Sequence, residues 1–192
     1  MRRLALVRHG ETQWALSGKH TGKTDIPLTE KGIEQAQQLK EVFTDFSFEK
    51  AFVSPLQRAK KTFLLSGLSI PHEWDEDLYE WDYGDYEGLT SAEIRAKNPS
   101  WSLFDQGPPN GETPQEIKAR ADRMISKALQ YSGDVVFFSS GHILRTIASR
   151  FLGLPVSFGK HLTLRTGSFS LLGYEHQNAA ILLWNEAPTF PC

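Results

Sequence analysis

Three short apolar runs constrain this chain more than anything else in it. Leu4–Val7, Ala51–Val53 and Asp134–Ser139 each stop at a polar turn, and each turn leads into residues with helical periodicity. Runs of this length, apolar on consecutive positions, suit strands buried on both faces. Strands that alternate with helices form a mostly parallel sheet covered by helices. Composition permits this: of 192 residues, 40% are hydrophobic and 23% charged, the balance of a globular chain. The expected architecture is α/β, a single three-layer domain over residues 1–192 with a mostly parallel central sheet.

The helices announce themselves by their caps. Thr29 opens a helix to about Phe43, with Ile33, Ala36, Leu39, Val42 and Phe43 on one face. Ser54-Pro55-Leu56-Gln57 reads as a capping box with proline at the first helical position. Thr90-Ser91-Ala92-Glu93 and Thr113-Pro114-Gln115-Glu116 repeat the signal and predict helices over about 90–97 and 114–131. His142 to Leu152 alternates like a helix and stops at Gly153. Two late strands, near 167–174 and 180–184, flank a turn-like cluster at 175–178. Residues 98–114 hold four of the ten prolines and read as an irregular, lid-like segment.

Several classes of partner lack support. Net charge is −2, which gives no electrostatic reason to expect nucleic acid or an anionic membrane surface. The only cysteine is Cys192, so neither an internal disulfide nor a cysteine zinc site is possible. The six histidines show no His-x-x-x-His or His-Glu-x-x-His spacing, which leaves a metal site little support. The N-terminal apolar run is shorter than the ~7–15 residues of a signal peptide core, and no stretch approaches the ~18 of a membrane span. The expectation is a soluble cytoplasmic protein, monomer or homodimer.

Ligands of open α/β sheets bind outside the carboxyl ends of the strands. Here those ends carry Arg8-His9-Gly10, Ser54 to Arg58, and Ser139-Ser140-Gly141-His142. A histidine so placed is a competent phosphoryl nucleophile. The arginine beside it offers planar donors that match phosphate oxygens. An ordinary strand-end His-Gly turn has the same wording. Arg58, in the first turn of its helix, makes sense where an anion also sits. Leu78 to Gly88 gathers four carboxylates among aromatics: Glu80, Asp82, Asp85 and Glu87. A carboxyl group walled by aromatics has a raised pKa and serves as a general acid near neutrality. Spacing does not choose among the four. Ser17 to Thr24 ends in Gly-Lys-Thr like a phosphate loop, but Ser17 stands where a glycine is needed, and Pro27 follows where a helix should.

Together, these segments resemble the histidine phosphatase superfamily, in its phosphoglycerate mutase-like branch. The resemblance rests on Leu6-Val7-Arg8-His9-Gly10-Glu11-Thr12, His20-Thr21-Gly22 with Asp25-Ile26-Pro27-Leu28-Thr29, and Ser54-Pro55-Leu56-Gln57-Arg58-Ala59. It continues through Glu80 to Gly88, Gly111-Glu112-Thr113 and Phe138 to Arg145, nearly the whole chain. The wording of Glu80 to Gly88 is similar to acid phosphatases and sugar-phosphate phosphatases. The resemblance implies a metal-independent phosphatase of small phosphomonoesters, with no organic cofactor. It implies that His9 becomes phosphohistidine and that Arg8 and Arg58 clamp the phosphoryl oxygens. It gives Glu80 the proton for the leaving oxygen and then the activation of water. Thr21, Gly22 and Tyr83 match substrate-contacting positions, and Ser140, Gly141 and His142 fall in the phosphate-binding turn.

One position departs from the family pattern. Aligned on Gly141 and Arg145, Ser140 stands where the family has a pocket histidine, and His142 follows two residues later. Either His142 reaches in as the substitute, or the enzyme is impaired. Two alternatives remain beside the phosphatase. One is a cofactor-dependent phosphoglycerate mutase, although the chain is short for that group and Ala15 stands where mutases usually carry Asn. The other is a phosphate-ligand-binding protein that has lost catalysis through Ser140.

Overall fold

A computed structural model describes residues 3–187; Met1, Arg2 and Cys192 lie outside them. The apolar runs become β1 (Leu4–Arg8), β2 (Phe48–Val53) and β4 (Asp134–Ser139). A short β3 (His72–Trp74) and the late pair β5 (Phe169–Glu175) and β6 (Asn178–Glu186) complete a six-stranded sheet in the order β3-β2-β4-β1-β5-β6. β3, β2, β4 and β1 run parallel, while β5 pairs antiparallel with both β1 and β6.

The expectation that β1 is buried on both faces holds. Leu4 and Leu6 pack on one side with Phe52, Phe137 and Leu172, and Ala5 and Val7 on the other with Val53, Phe138 and Phe169. Helices α2 (Glu30–Val42) and α3 (Gln57–Leu65) cover the second side through Leu39 and Phe63. Helices α4 (Ser91–Lys97), α6 (Pro114–Ala128) and α7 (Gly141–Phe151) cover the first through Ile94, Met124 and Ile147. Two four-residue helices, α1 (Gln13–Leu16) and α5 (Leu103–Gln106), lie in the connections. No helix among the described residues is long and apolar enough to cross a membrane.

The capping boxes at Thr90 and Thr113 form as expected, each threonine and glutamate bonding the other's backbone amide. The one expected at Ser54 does not. Ser54 is fully buried at the end of β2, where its amide donates to Phe138 O, so it still belongs to the sheet. α3 begins two residues after Pro55, with Leu56 as an N-cap that makes no side-chain bond. Its first amide, Gln57 N, finds Asp25 Oδ1 instead, 2.8 Å away, on a loop distant in sequence.

Two glycines set the height of the first turn above the sheet. Gly10 and Gly32 pass so closely that a Cβ on Gly10 would stand 2.1 Å from Gly32 O. This lets α2 press onto the end of β1, while Gly10 N donates to Thr62 Oγ1 on α3. His9 is thereby held between two helices and the sheet.

Candidate active site

The carboxyl ends of β1, β2 and β4 meet at one edge, with Arg8 opposite Ser139 and Val53 opposite Phe138. A cleft of about 230 Å³ opens there, lined by Arg8, His9, Thr21, Glu80, Tyr83, Gly141 and His142 among others. Four stretches of the sequence, 8–21, 80–91, 141–145 and Leu164, thus converge.

His9 is almost wholly buried, and its amide donates to Ser139 O. Its Nδ1 lies 2.7 Å from Gly10 O, which places the ring hydrogen on Nδ1 and leaves Nε2 with its lone pair. Nε2 has no protein partner among the described residues. Burial first, then the charges of Arg58 and Arg8, push the His9 pKa well below the usual imidazole value. The ring is neutral at pH 7, the form that attacks.

The two arginines differ. Arg8 lines the cleft, donates through Nη1 to Leu164 O, and keeps a buried Nε with no partner among the described residues. Arg58 is fully buried and does not line the cleft. Its Nη2 donates to Thr21 O and Gly22 O, its Nη1 to Thr24 O, and its Nε to Ser140 Oγ at 3.3 Å. In this state the guanidinium is a fixed charge behind the nucleophile. Gly22 also stays out of the cleft lining, its amide bound to the Glu87 carboxylate. Ser140 is 1% exposed and faces Arg58, so it does not reach the cleft either.

The structure sorts the four carboxylates. Asp82 pairs with Lys23 at 2.5 Å, Asp85 accepts from Asn110 Nδ2, and Glu87 holds the Gly22 and Thr24 amides. Of the four, only Glu80 lines this cleft. A raised pKa was expected of a carboxyl walled by aromatics, without a choice among the four, and for Glu80 the structure differs. Burial does push it up, but hydrogen bonding and charge interaction with His142, joined by backbone amides, outweigh burial and hold it well below the carboxylate range. Oε1 accepts from Trp81 N and Ile143 N and Oε2 from His142 N, each at 2.9 Å. Glu80 thus satisfies two of the free amides at the start of α7, where the helix dipole also favours an anion. As it stands, Glu80 is ionised and has no proton to give.

His142 enters the cleft beside it. Tyr83 Oη lies 2.5 Å from His142 Nδ1, and Glu80 Oε2 lies 3.7 Å from the same nitrogen. Burial raises the Tyr83 pKa well above that of a free phenol. Burial also lowers that of His142, against the pull of Glu80. His20 lines the cleft as well, 4.7 Å from the Tyr83 ring. Burial, then the charge of His142, brings its pKa to about 4.

Sequence reasoning used Arg145 only as an alignment anchor, gave no site role to Thr12, Ser91 or Leu164, and met Lys19 only within the false phosphate loop; all five line the cleft. Arg145 donates through Nε to Gly159 O and lies over the Phe104 ring at 4.7 Å, and burial brings its pKa to about 10. Its signal was available: four residues beyond Gly141, it falls on the same face of α7 one turn on. Residues 98–114 do not line the cleft but back it from the core, with Trp101 5.6 Å from His20 and Phe104 5.4 Å from His142, ring to ring. Among the described residues, no group of three or more His, Cys, Asp or Glu side chains is placed to hold a metal ion.

The model of the histidine phosphatase superfamily (branch 1) matches residues 4–187. An acid phosphatase of Mycobacterium tuberculosis is 39% identical over 91% of this chain and 87% of its own length. The sedoheptulose 1,7-bisphosphatase of Saccharomyces cerevisiae is 36% identical over 80% of this chain and 69% of its own. Phosphoglycerate mutases stand among the relatives as well. A solved structure from an open reading frame of Mycobacterium tuberculosis superposes with a TM-score of 0.94 at 35% identity, covering 98% of this chain and 99% of its own.

Proposed function

The chain belongs to the histidine phosphatase superfamily, and on that premise we propose that it hydrolyses small phosphomonoesters through a phosphohistidine on His9. The observation that carries the reading is the state of His9. Nδ1 is tied to Gly10 O, and burial with two neighbouring guanidiniums keeps the ring neutral, so Nε2 is free to attack. Nε2 bonds to phosphorus as the bond to the leaving oxygen breaks, and water then displaces the imidazole. The positive charge that the phosphoryl oxygens need comes from Arg8 in the cleft and Arg58 behind it. That is the ground for a reaction without a metal. The relatives' own substrates, a sugar bisphosphate in one of them, support small phosphoesters as the substrate class.

The test is phosphate release from a panel of phosphoesters in EDTA, by this chain and by His9→Ala. The panel holds p-nitrophenyl phosphate, sugar mono- and bisphosphates, and 3-phosphoglycerate. EDTA-resistant release that disappears in the variant, with phosphohistidine retained after an alkaline quench, is the expected result. Isomerisation of 3-phosphoglycerate would make the protein a mutase. Tight phosphate binding without turnover would make it the binding protein.

A further inference from the structure

We propose that His142 gives the proton to the leaving oxygen and takes one back from the attacking water, with Glu80 and Tyr83 holding it in place. This rests on the phosphatase reading and departs from the family assignment of both proton transfers to Glu80.

Glu80 is poorly suited to the task. Its two oxygens accept three backbone amides, two of them at the start of α7. A proton on either oxygen would weaken bonds that hold the helix terminus in place. Ser140, at the position the family gives to histidine, is turned to Arg58 and absent from the cleft wall. His142 has what both lack. Its ring lines the same cleft as His9, its Nδ1 is held by Tyr83 Oη and faced by Glu80 Oε2, and Nε2 has no protein partner among the described residues. A nitrogen so freed, on a ring so fixed and in the cleft of the nucleophile, can take and give a proton there.

The charges around the ring fit a proton that comes and goes. Glu80 favours the imidazolium, while Arg8 on β1 and Arg145 on α7 oppose it. The neutral Tyr83 hydroxyl lies against Nδ1, and His20 stands 5.8 Å off, ring to ring. A phosphate dianion bound at Arg8 offsets the arginines and lets His142 take up a proton from solution. Nε2–H of the imidazolium then passes to the leaving oxygen as the P–O bond breaks and the His9–P bond forms. The neutral Nε2 next accepts a proton from water as its oxygen bonds to phosphorus and the N–P bond breaks. The cycle ends with alcohol, hydrogen phosphate, neutral His9 and a recharged His142.

The experiment compares kcat/KM of the wild type, His142→Asn and Tyr83→Phe on two substrates. One is p-nitrophenyl phosphate, whose phenolate departs without a proton. The other is glycerol phosphate, whose alkoxide does not. His142→Asn is expected to lose about 10²–10⁴-fold on glycerol phosphate and less than about tenfold on p-nitrophenyl phosphate, the worth of general acid catalysis in one and not the other. Because the same variant lacks the acceptor for the water proton, it should also show a burst of p-nitrophenol as the phosphoenzyme accumulates. Tyr83→Phe should shift the ratio of the two substrates in the same direction and serves if His142→Asn does not fold. Equal losses on both substrates, or none, would overturn the proposal. A wild type inactive on both would instead overturn the phosphatase reading, and this inference with it.

Discussion

Arg58 donates through Nε to the hydroxyl of Ser140 at 3.3 Å, across 82 positions of sequence and wholly inside the protein. The serine therefore serves the arginine rather than the cleft. Ser140→Ala leaves a buried guanidinium N–H without that acceptor, which costs about 1–3 kcal/mol. In a domain of this size each kcal/mol moves the melting temperature by about 2–4 °C. Catalysis should stay within a few-fold, because Thr21, Gly22 and Thr24 carbonyls still hold both Nη atoms. Thermal melts and kcat/KM of the variant decide this; an unchanged melting temperature would mean that the bond contributes nothing.

The Gly10–Gly32 crossing gives a harsher prediction. A Cβ on Gly32 would stand 2.1 Å from Glu11 O, a backbone atom that cannot turn aside. Gly32→Ala must push α2 off the end of β1, the point that fixes His9. Overpacking of this kind costs about 1–3 kcal/mol or more. A small displacement of a reacting group also lowers turnover, so activity and denaturation midpoint should fall together. Chemical denaturation with parallel assay of phosphate release checks it, and a variant as stable and active as the parent would contradict the crossing.

Much of this was legible in the residues because local chemistry agrees with the final fold. Thr90 and Thr113 cap their helices with partners three residues away, so their signals needed no tertiary knowledge. Ser54 carries the same wording, yet the sheet claims its amide, and the cap arrives from Asp25. Glu80 was legible as a candidate from its aromatic surroundings, but the direction of its pKa was not. That direction depends on His142 and the amides at the start of α7, about sixty positions on. Arg145 was legible only as an alignment anchor for a related reason, since a helical arginine looks solvated until the wall facing it is known.

Arg120 ties the approach to Glu80 together. It meets Glu112 at 2.6 and 2.7 Å, two parallel bonds, and its Nη1 donates to the carbonyls of Asp77 and Tyr79. Glu112 O in turn accepts from Trp81 Nε1. Both charged side chains are largely buried, so removing one partner costs about 3–5 kcal/mol, much of it from the charge left alone. Arg120→Met is expected to destabilise by that order and to reduce kcat. Adding Glu112→Gln should recover part of the stability. A double variant no more stable than the single one would show that the backbone carbonyls, not the ion pair, carry the effect.

Stability should fall on the acid side, and the buried histidines say where. His9, His20 and His142 all have folded pKa values below the ordinary imidazole value, with burial as the largest cause. Below pH of about 6.5 the unfolded chain protonates these rings, while the folded one resists. The unfolded state therefore binds more protons, and unfolding free energy rises with pH. Their contribution is complete above about pH 6.5 and is lost as pH falls through that value toward the folded pKa, about 4 for His20. Glu80 acts in the same direction lower down, because its folded pKa is also depressed and its contribution goes as pH drops below the usual carboxylate range. For His20 alone the shift from 6.5 to about 4 is on the order of 3 kcal/mol. The melting temperature should thus decline steadily between pH 7 and 4.5, and His20→Asn should make that decline shallower. A profile flat across this range, or one that His20→Asn leaves equally steep, would mean that these rings are protonated in the folded protein after all.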